Sequence, residues 1–131
     1  MKYDPLKPPD PKAWQALEEM EQIELVRAYH RKAGVRLPNP LLHATIHATV
    51  ESQAALGDAT PVQRTLERLQ REGLDRHEAV HAVGSVLASY VHDVIRSPPS
   101  AADPNAGYYD QLGSLTAARW RQQFADDSQT E

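Results

Sequence analysis

The sequence of 131 residues contains no cysteine. This absence excludes disulfide bonds, zinc sites made of thiolates and a cysteine nucleophile. A zinc-type site in this chain would therefore have to use histidine and carboxylate ligands. The length is that of one domain with a single core.

Long apolar runs are missing as well. The N-terminal segment MKYDPLKPPDPKAW has none, and no later stretch approaches the roughly 20 apolar residues of a membrane span. We therefore expect a cytoplasmic protein with no membrane partner. The net charge of −4 argues against nucleic acid as a partner. A local basic cluster is interpreted as a solvated helix face: Arg64, Arg68, Arg71 and Arg76.

The placement of proline and glycine predicts the helices. Residues 1–10 are proline-rich and should form an extended arm. Further on, proline follows a good capping residue four times, and glycine stands where helices should stop. With no strand signal, the patterns predict an all-α, single-domain bundle over residues 11–124 and a disordered tail at 125–131. The five predicted helices cover residues 11–33, 40–56, 61–72, 75–96 and 104–124, with a rigid linker at 97–100.

Two predicted helices have unusual apolar patterns. In the first, the apolar face changes side part-way, which predicts a break or kink near Gln22, or a helix packed on two sides. The fifth carries enough aromatic surface to close the bundle or to form a homodimer contact, through Tyr108, Tyr109, Leu112, Trp120 and Phe124.

The clearest remaining pattern in the sequence is two pairs of histidines. They lie in HATIHATVE (residues 43–51) and DRHEAVH (residues 75–81). Residues four apart in a helix stand one above the other, so each pair presents two imidazoles to one point. Six histidines placed at random would give about 0.2 such pairs, so two pairs are an excess. Each pair lies at the edge of its helix's apolar stripe, where a partly buried ligand belongs.

The second and fourth predicted helices should bring the two pairs together. If the second, third and fourth helices run up, down and up, the second and fourth are parallel and the pairs stand level. This arrangement predicts a metal site between them, with zinc as the first choice and iron, nickel, copper or manganese as alternatives. The expected metal ligands are His43, His47, Glu51, His77 and His81.

Two further histidines are treated separately. His30 could join the site as an extra ligand or as an outer partner that orients one, if the first helix packs antiparallel to the second. His92 lies eleven residues beyond His81, about 16 Å along a helix, and cannot share the site.

Glu78 has two interpretations. His77-Glu78-Ala79-Val80-His81 matches the zinc-peptidase motif HExxH, in which the glutamate activates water. Against a peptidase, the third ligand of the longer metzincin pattern would fall at Leu87, which cannot coordinate. Glu78 would also complete a capping box with Asp75. The segment Glu78-Ala79-Val80-His81 matches one Glu-x-x-His motif of ferritin-like bundles, but the second copy is missing from this chain.

The order of these motifs resembles that of a bacterial family, domain-of-unknown-function family 1841. The resemblance rests on the run Asn39-Pro40-Leu41-Leu42-His43, on His47 and Val50-Glu51-Ser52-Gln53, and on Gly73 to His81. It covers about residues 39–96 and brings no established activity. It implies shared ligand positions at His43, His47, Glu51, His77, Glu78 and His81.

Two functional hypotheses follow. In the first, the protein binds a metal ion. The site is structural if four histidines complete a tetrahedron, whereas six ligands could bridge two metals. If three protein ligands and a water bind the metal, the protein is a metal-dependent hydrolase with Glu51 or Glu78 as catalytic base. In the second, it is a non-enzymatic interaction module with structural histidines, and the proline-rich arm or the aromatic fifth helix binds a protein partner. The substrate or other small molecule cannot be named from the sequence.

Overall fold

The computed structural model describes residues 1–34, 37–97 and 105–127. Over these residues the chain is all-helical and forms one domain, as predicted, with no strand. The helices described are α1 (Pro11–Ala16), α2 (Glu19–Lys32), α3 (Pro40–Ala55), α4 (Val62–Arg71), α5 (Arg76–Arg96), α6 (Ala106–Ser114) and α7 (Ala117–Asp127), with a 3-10 turn at Gly57–Ala59.

The first predicted helix is broken earlier than expected. The break lies at Leu17 and Glu18, whose backbones are extended, and not near Gln22. Glu18 and Glu21 form a capping box that starts α2 again. Gln22 then donates from its side chain to the carbonyl of Trp14 at 2.9 Å, across the break. The change of apolar face in the sequence therefore reflects the break between two separate helices, α1 and α2.

The fifth predicted helix is also two helices. It is interrupted at Leu115, whose backbone is extended, and Thr116 caps the next helix by accepting from the backbone N–H of Arg119 at 3.0 Å. The predicted start of this helix at residue 104 lies outside the described residues, as does the linker apart from Ser97. Of the predicted tail, residues 125–127 belong to α7 and residues 128–131 lie outside the described part.

Helix α3 lies between two apolar clusters. On one side Ala44 and Ala48 pack with Tyr3, Trp14 and residues of α2. On the other side α3 packs against the larger cluster, which is built from α4, α5, α6 and α7. Helix α3, which carries His43 and His47, therefore has α2 on one side and α5 on the other.

The direction of α5 differs from the prediction. His43 near the start of α3 lies against His81, and Glu51 near its end meets Arg76 at the start of α5. These contacts pair α3 and α5 in opposite directions, so the expected parallel arrangement is wrong. It assumed that the second, third and fourth predicted helices alternate in direction. The intervening helix α4 is short, with 10 residues against 16 in α3 and 21 in α5. Helix α2 does pack antiparallel to α3, since His30 contacts His43 and Gln22 contacts Ser52.

None of the described helices combines the length and the apolar character that crossing a membrane requires.

Candidate metal centre

Five histidines from three helices meet in the space between α2, α3 and α5. Four of them each offer a nitrogen within 4.8 Å of the others: His30, His47, His77 and His81. Tetrahedral zinc with bonds of about 2.0–2.1 Å needs donor atoms about 3.3 Å apart. Small rotations of the rings would close that difference. The structure thus brings both sequence-predicted pairs together and adds His30 to them.

His43 lies beside the group of four. Its ring centre is 4.7 Å from that of His30 and 5.0 Å from that of His81, and the side chain is half-buried. These contacts follow from the antiparallel packing of α3 and α5, which places His43 beside His81 and His47 beside His77. His43 is the member of the expected ligand set that lies at the edge of the cluster.

The hydrogen bonds of His47 determine which of its nitrogens carries the proton. Its Nε2 lies 3.0 Å from the hydroxyl of Tyr3, and that hydroxyl donates its only proton to Glu51. Tyr3 must therefore accept from His47, so Nε2 bears the hydrogen and Nδ1 has the lone pair. Nδ1 is buried and has no hydrogen-bond partner among the described residues.

His30 is held in the complementary tautomer. Its Nδ1 lies 2.9 Å from the carbonyl oxygen of Val26, one turn earlier in α2. Because a carbonyl only accepts, Nδ1 carries the hydrogen and Nε2 has the lone pair. The Nε2 atom is buried, and His30 is 4% exposed. The carbonyl of Val26 in α2 therefore fixes which nitrogen of this ring has the lone pair.

Burial keeps His47 uncharged. The side chain is 2% exposed, and loss of hydration lowers its pKa well below the ordinary histidine value. The neighbouring histidines His81, His77, His30 and His43 lower that pKa further, because protonated rings would repel one another. Neutral imidazole is the form that binds metals.

Glu51 does not turn its carboxylate to the histidines. Both oxygens accept from the guanidinium of Arg76, at 2.9 and 2.8 Å, and one also accepts from Tyr3. The side chains of Glu51 and Arg76 are almost completely buried. The structure therefore places Glu51 behind His47, connected through Tyr3, where it orients a ring. Arg76 was expected on a solvated face, which is wrong, because this ion pair draws it into the core.

The N-terminal segment lies against the bundle. Tyr3 and Pro5 are buried, and Arg76 donates to the carbonyl of Pro5 at 3.0 Å. The ring of Tyr3 also packs edge-on against that of His47. Burial and the nearby charge of Glu51 raise the pKa of Tyr3 well above its ordinary value, so its hydroxyl keeps its proton.

Glu78 caps the start of α5. Its side chain accepts from the backbone N–H of Asp75 at 3.0 Å, and its own N–H donates to the carboxylate of Asp75 at 2.8 Å. This is the capping box that the sequence suggested. His92 is exposed far along α5, and Leu87 is buried in the larger apolar cluster.

A solvent-accessible cleft leads to the histidines. Its volume is about 220 Å³, and His43, His47 and His81 are among its lining residues. Leu37 and Pro38 form part of its wall, and α3 and α5 contribute the rest. A small molecule could therefore approach the cluster from one direction.

Sequence reasoning missed Tyr3 and Arg76 as members of this network. Arg76 directly precedes His77, so its position offered a weak signal. Tyr3 offered none, because it is 44 residues from its partner His47.

The sequence model of a protein family matches residues 10–112 of this chain, and that family is described as Domain of unknown function (DUF1841). The chain belongs to this family. The match confirms the resemblance read from the histidine motifs and extends beyond it at both ends. No curated protein and no solved structure matches the chain.

The family match covers the whole histidine cluster. All five histidines, Glu51 and Arg76 lie inside the matched range, whereas Tyr3 lies before it. The hydroxyl that holds His47 therefore belongs to a segment of this chain outside the matched range.

Proposed function

We propose that this protein binds one transition-metal ion between α2, α3 and α5, through His30, His47, His77 and His81. The observation that carries the proposal is Nδ1 of His47, a buried lone pair with no hydrogen-bond partner among the described residues and with three imidazoles around it. Leaving a buried acceptor unsatisfied costs about 1–3 kcal/mol. A metal ion bound at this point would remove that cost.

The ligand type favours zinc. Imidazole suits zinc, copper, nickel and iron, whereas manganese prefers oxygen donors. The four-residue group contains histidine alone. Four nitrogen donors in a compact cluster match the tetrahedral preference of zinc, so we place zinc first and manganese last.

Tyr3 and Glu51 would act as outer partners of the metal. A ligating histidine usually donates its second N–H to a carboxylate, a carbonyl or water, which fixes the ring and raises its basicity. His30 donates to a backbone carbonyl, and His47 donates to Tyr3, which passes the interaction to Glu51. This arrangement supports a ligand role for both rings.

The same contacts argue against hydrolysis with a carboxylate base. Glu51 is fully engaged by Arg76 and Tyr3, and Glu78 caps α5. A general base must reach the water or proton it acts on at hydrogen-bond distance. In the described arrangement, His43 beside the four-histidine group is better placed for proton transfer than either glutamate.

Metal analysis of the purified protein tests the proposal. We expect about one bound metal ion per chain, measured by elemental analysis after exchange into chelator-free buffer. His81→Ala, which removes a half-buried ligand, should lower the metal content several-fold. His92→Ala removes an exposed histidine of the same helix and should leave the content unchanged.

The interaction-module hypothesis predicts the opposite results. Protein that is metal-free as purified, fails to bind added zinc and melts at the same temperature with and without chelator would overturn metal binding. Equal metal content in His81→Ala and His92→Ala would show that the metal binds elsewhere and not at this cluster.

A further inference from the structure

We propose that the cleft beside the histidine cluster binds a small monoanion with a short apolar tail, of which a linear carboxylate is the simplest example. The anionic head would bind the metal as a fifth ligand beside His43, His47 and His81, because four-coordinate zinc can expand to five ligands. The tail would lie along the walls of the cleft. The inference rests on the proposed metal function and adds the class of ligand.

The cleft reaches one face of the cluster. His43, His47 and His81 line it, whereas His30 and His77 are not among its lining residues. An incoming ligand would therefore meet the metal between the first three rings. His30 and His77, on the far side, would hold the ion from behind.

The walls are apolar along most of the cleft. They consist mainly of Leu37, Pro38, Ile46, Val80, Gly84 and Ala88. The two polar wall residues are engaged locally: the side-chain oxygen of Asn39 accepts from the backbone N–H of Leu42, and the hydroxyl of Ser85 donates to the carbonyl of Ala82. Such walls favour a hydrocarbon tail over a sugar, a nucleotide or a peptide backbone.

No charged side chain is among the described residues that line the cleft. An anion entering it would thus meet no arginine or lysine among those described lining residues. Among the same described groups, the proposed metal would supply the positive charge. Anion binding in this cleft should therefore be strictly metal-dependent.

The metal would keep most of its charge. Its proposed ligands are neutral imidazoles, and the nearest buried carboxylate, Glu51, is balanced by Arg76. A divalent ion in such surroundings favours an anionic additional ligand, because no protein ligand neutralises it. This preference selects a carboxylate over an amine or an amide.

The volume limits the length of the tail. About 220 Å³ equals the space of roughly seven water molecules at ~30 Å³ each. Linear carboxylates of about four to six carbons should fill the cleft, and longer chains should gain little more. Each methylene that becomes buried should increase affinity about four-fold.

Cobalt(II)-loaded protein provides the experiment, because its visible spectrum reports changes at the metal. The loaded protein is titrated with acetate, propanoate, butanoate, pentanoate, hexanoate and octanoate, with butylammonium as the cationic-head comparison and butanamide as the uncharged-head comparison. We expect carboxylates alone to change the spectrum, with affinity rising to about six carbons. Metal-free protein should show no carboxylate binding by calorimetry.

A matched pair of variants tests the cleft. Ala88→Phe adds a ring to the cleft from α5 without replacing a histidine, whereas Ser89→Phe places the same ring on an adjacent exposed position outside it. We expect Ala88→Phe to weaken hexanoate binding at least ten-fold with normal cobalt content. Ser89→Phe should bind hexanoate as the unmodified protein does.

The outcomes separate the two proposals. Failure to bind cobalt or zinc overturns both. Normal metal content with no spectral response to carboxylates overturns the ligand proposal alone. Affinity that is independent of chain length, equal effects of the two phenylalanine variants, or hexanoate binding to metal-free protein would each overturn it as well.

Discussion

At the residue scale, the hydroxyl of Tyr3 connects His47 to the buried ion pair of Glu51 and Arg76. It accepts from Nε2 of His47 and donates to Glu51. Tyr3→Phe keeps the ring and removes both interactions. We expect metal affinity to fall by about 10- to 100-fold, as is typical when an outer partner of a ligating histidine is lost.

Competition against a chromophoric chelator measures this effect. Tyr109→Phe is the control, because Tyr109 is half-buried and packs against Tyr108, on the α6 side of the molecule. Unchanged affinity in Tyr3→Phe would show that Tyr3 does not orient His47. Melting temperatures of both variants without metal would show whether the loss is one of folding.

At the element scale, Arg68 of α4 and Glu72, the residue after α4, bind the junction between α6 and α7. Arg68 donates to the carbonyls of Leu112 and Leu115 at 3.1 and 2.7 Å. Glu72 accepts from Arg68 and from the backbone N–H of Ala117, the first residue of α7. The two side chains thus satisfy backbone groups that the interruption leaves without helical partners.

Glu72→Ala should lower the free energy of unfolding by about 0.5–2 kcal/mol, as loss of a helix cap does. The N–H of Ala117, and then the charge and hydrogen bond of Arg68, hold the pKa of Glu72 below its ordinary value. Since the folded pKa is the lower one, the stabilisation is present above pH 4.5 and is lost as the pH falls toward the folded value. Urea unfolding at pH 7 and at pH 3.5 checks this.

The control for Glu72 is Glu67→Ala, an exposed position in α4. It should change stability by less than about 0.5 kcal/mol at both pH values. A difference between Glu72→Ala and the unmodified protein that is as large at pH 3.5 as at pH 7 would contradict the role of the Glu72 charge.

At the scale of the whole molecule, a bound metal would connect three helices that are far apart in the sequence. Ligands that bind only the folded state stabilise it, by about 4 kcal/mol at a free concentration 1,000 times the dissociation constant. For a domain of this size, that corresponds to a rise of about 15 °C in melting temperature. Thermal unfolding with zinc and with chelator measures the rise, which should be reversible.

A double variant, His77→Ala/His81→Ala, should show no zinc-dependent rise. Both residues are half-buried, so the variant should remain folded. Full metal content together with an unchanged melting temperature in the unmodified protein would contradict a site shared among the three helices.

The helices and the two histidine pairs could be predicted because both depend on short-range geometry. Helix starts at Pro11, Pro40 and Arg76 follow from capping residues directly before them. The spacing of four places His43 near His47 and His77 near His81 whatever the rest of the chain does. The break in the first predicted helix was expected near Gln22 but lies at Leu17, and the interruption at Leu115 was missed. Leucine is a good helix former, so neither residue signals a break by its type.

The sequence by itself thus determined an all-helical chain with two imidazole pairs, each set on one helix face by local periodicity. Only the tertiary structure decided which groups meet those pairs. His30 and Tyr3 contact them, Arg76 forms an ion pair with Glu51, and α5 packs antiparallel to α3. The physical reason is the sequence distance between partners, which is 25 residues for Glu51 and Arg76 and 44 for Tyr3 and His47. Such contacts are selected by the packing of the whole core.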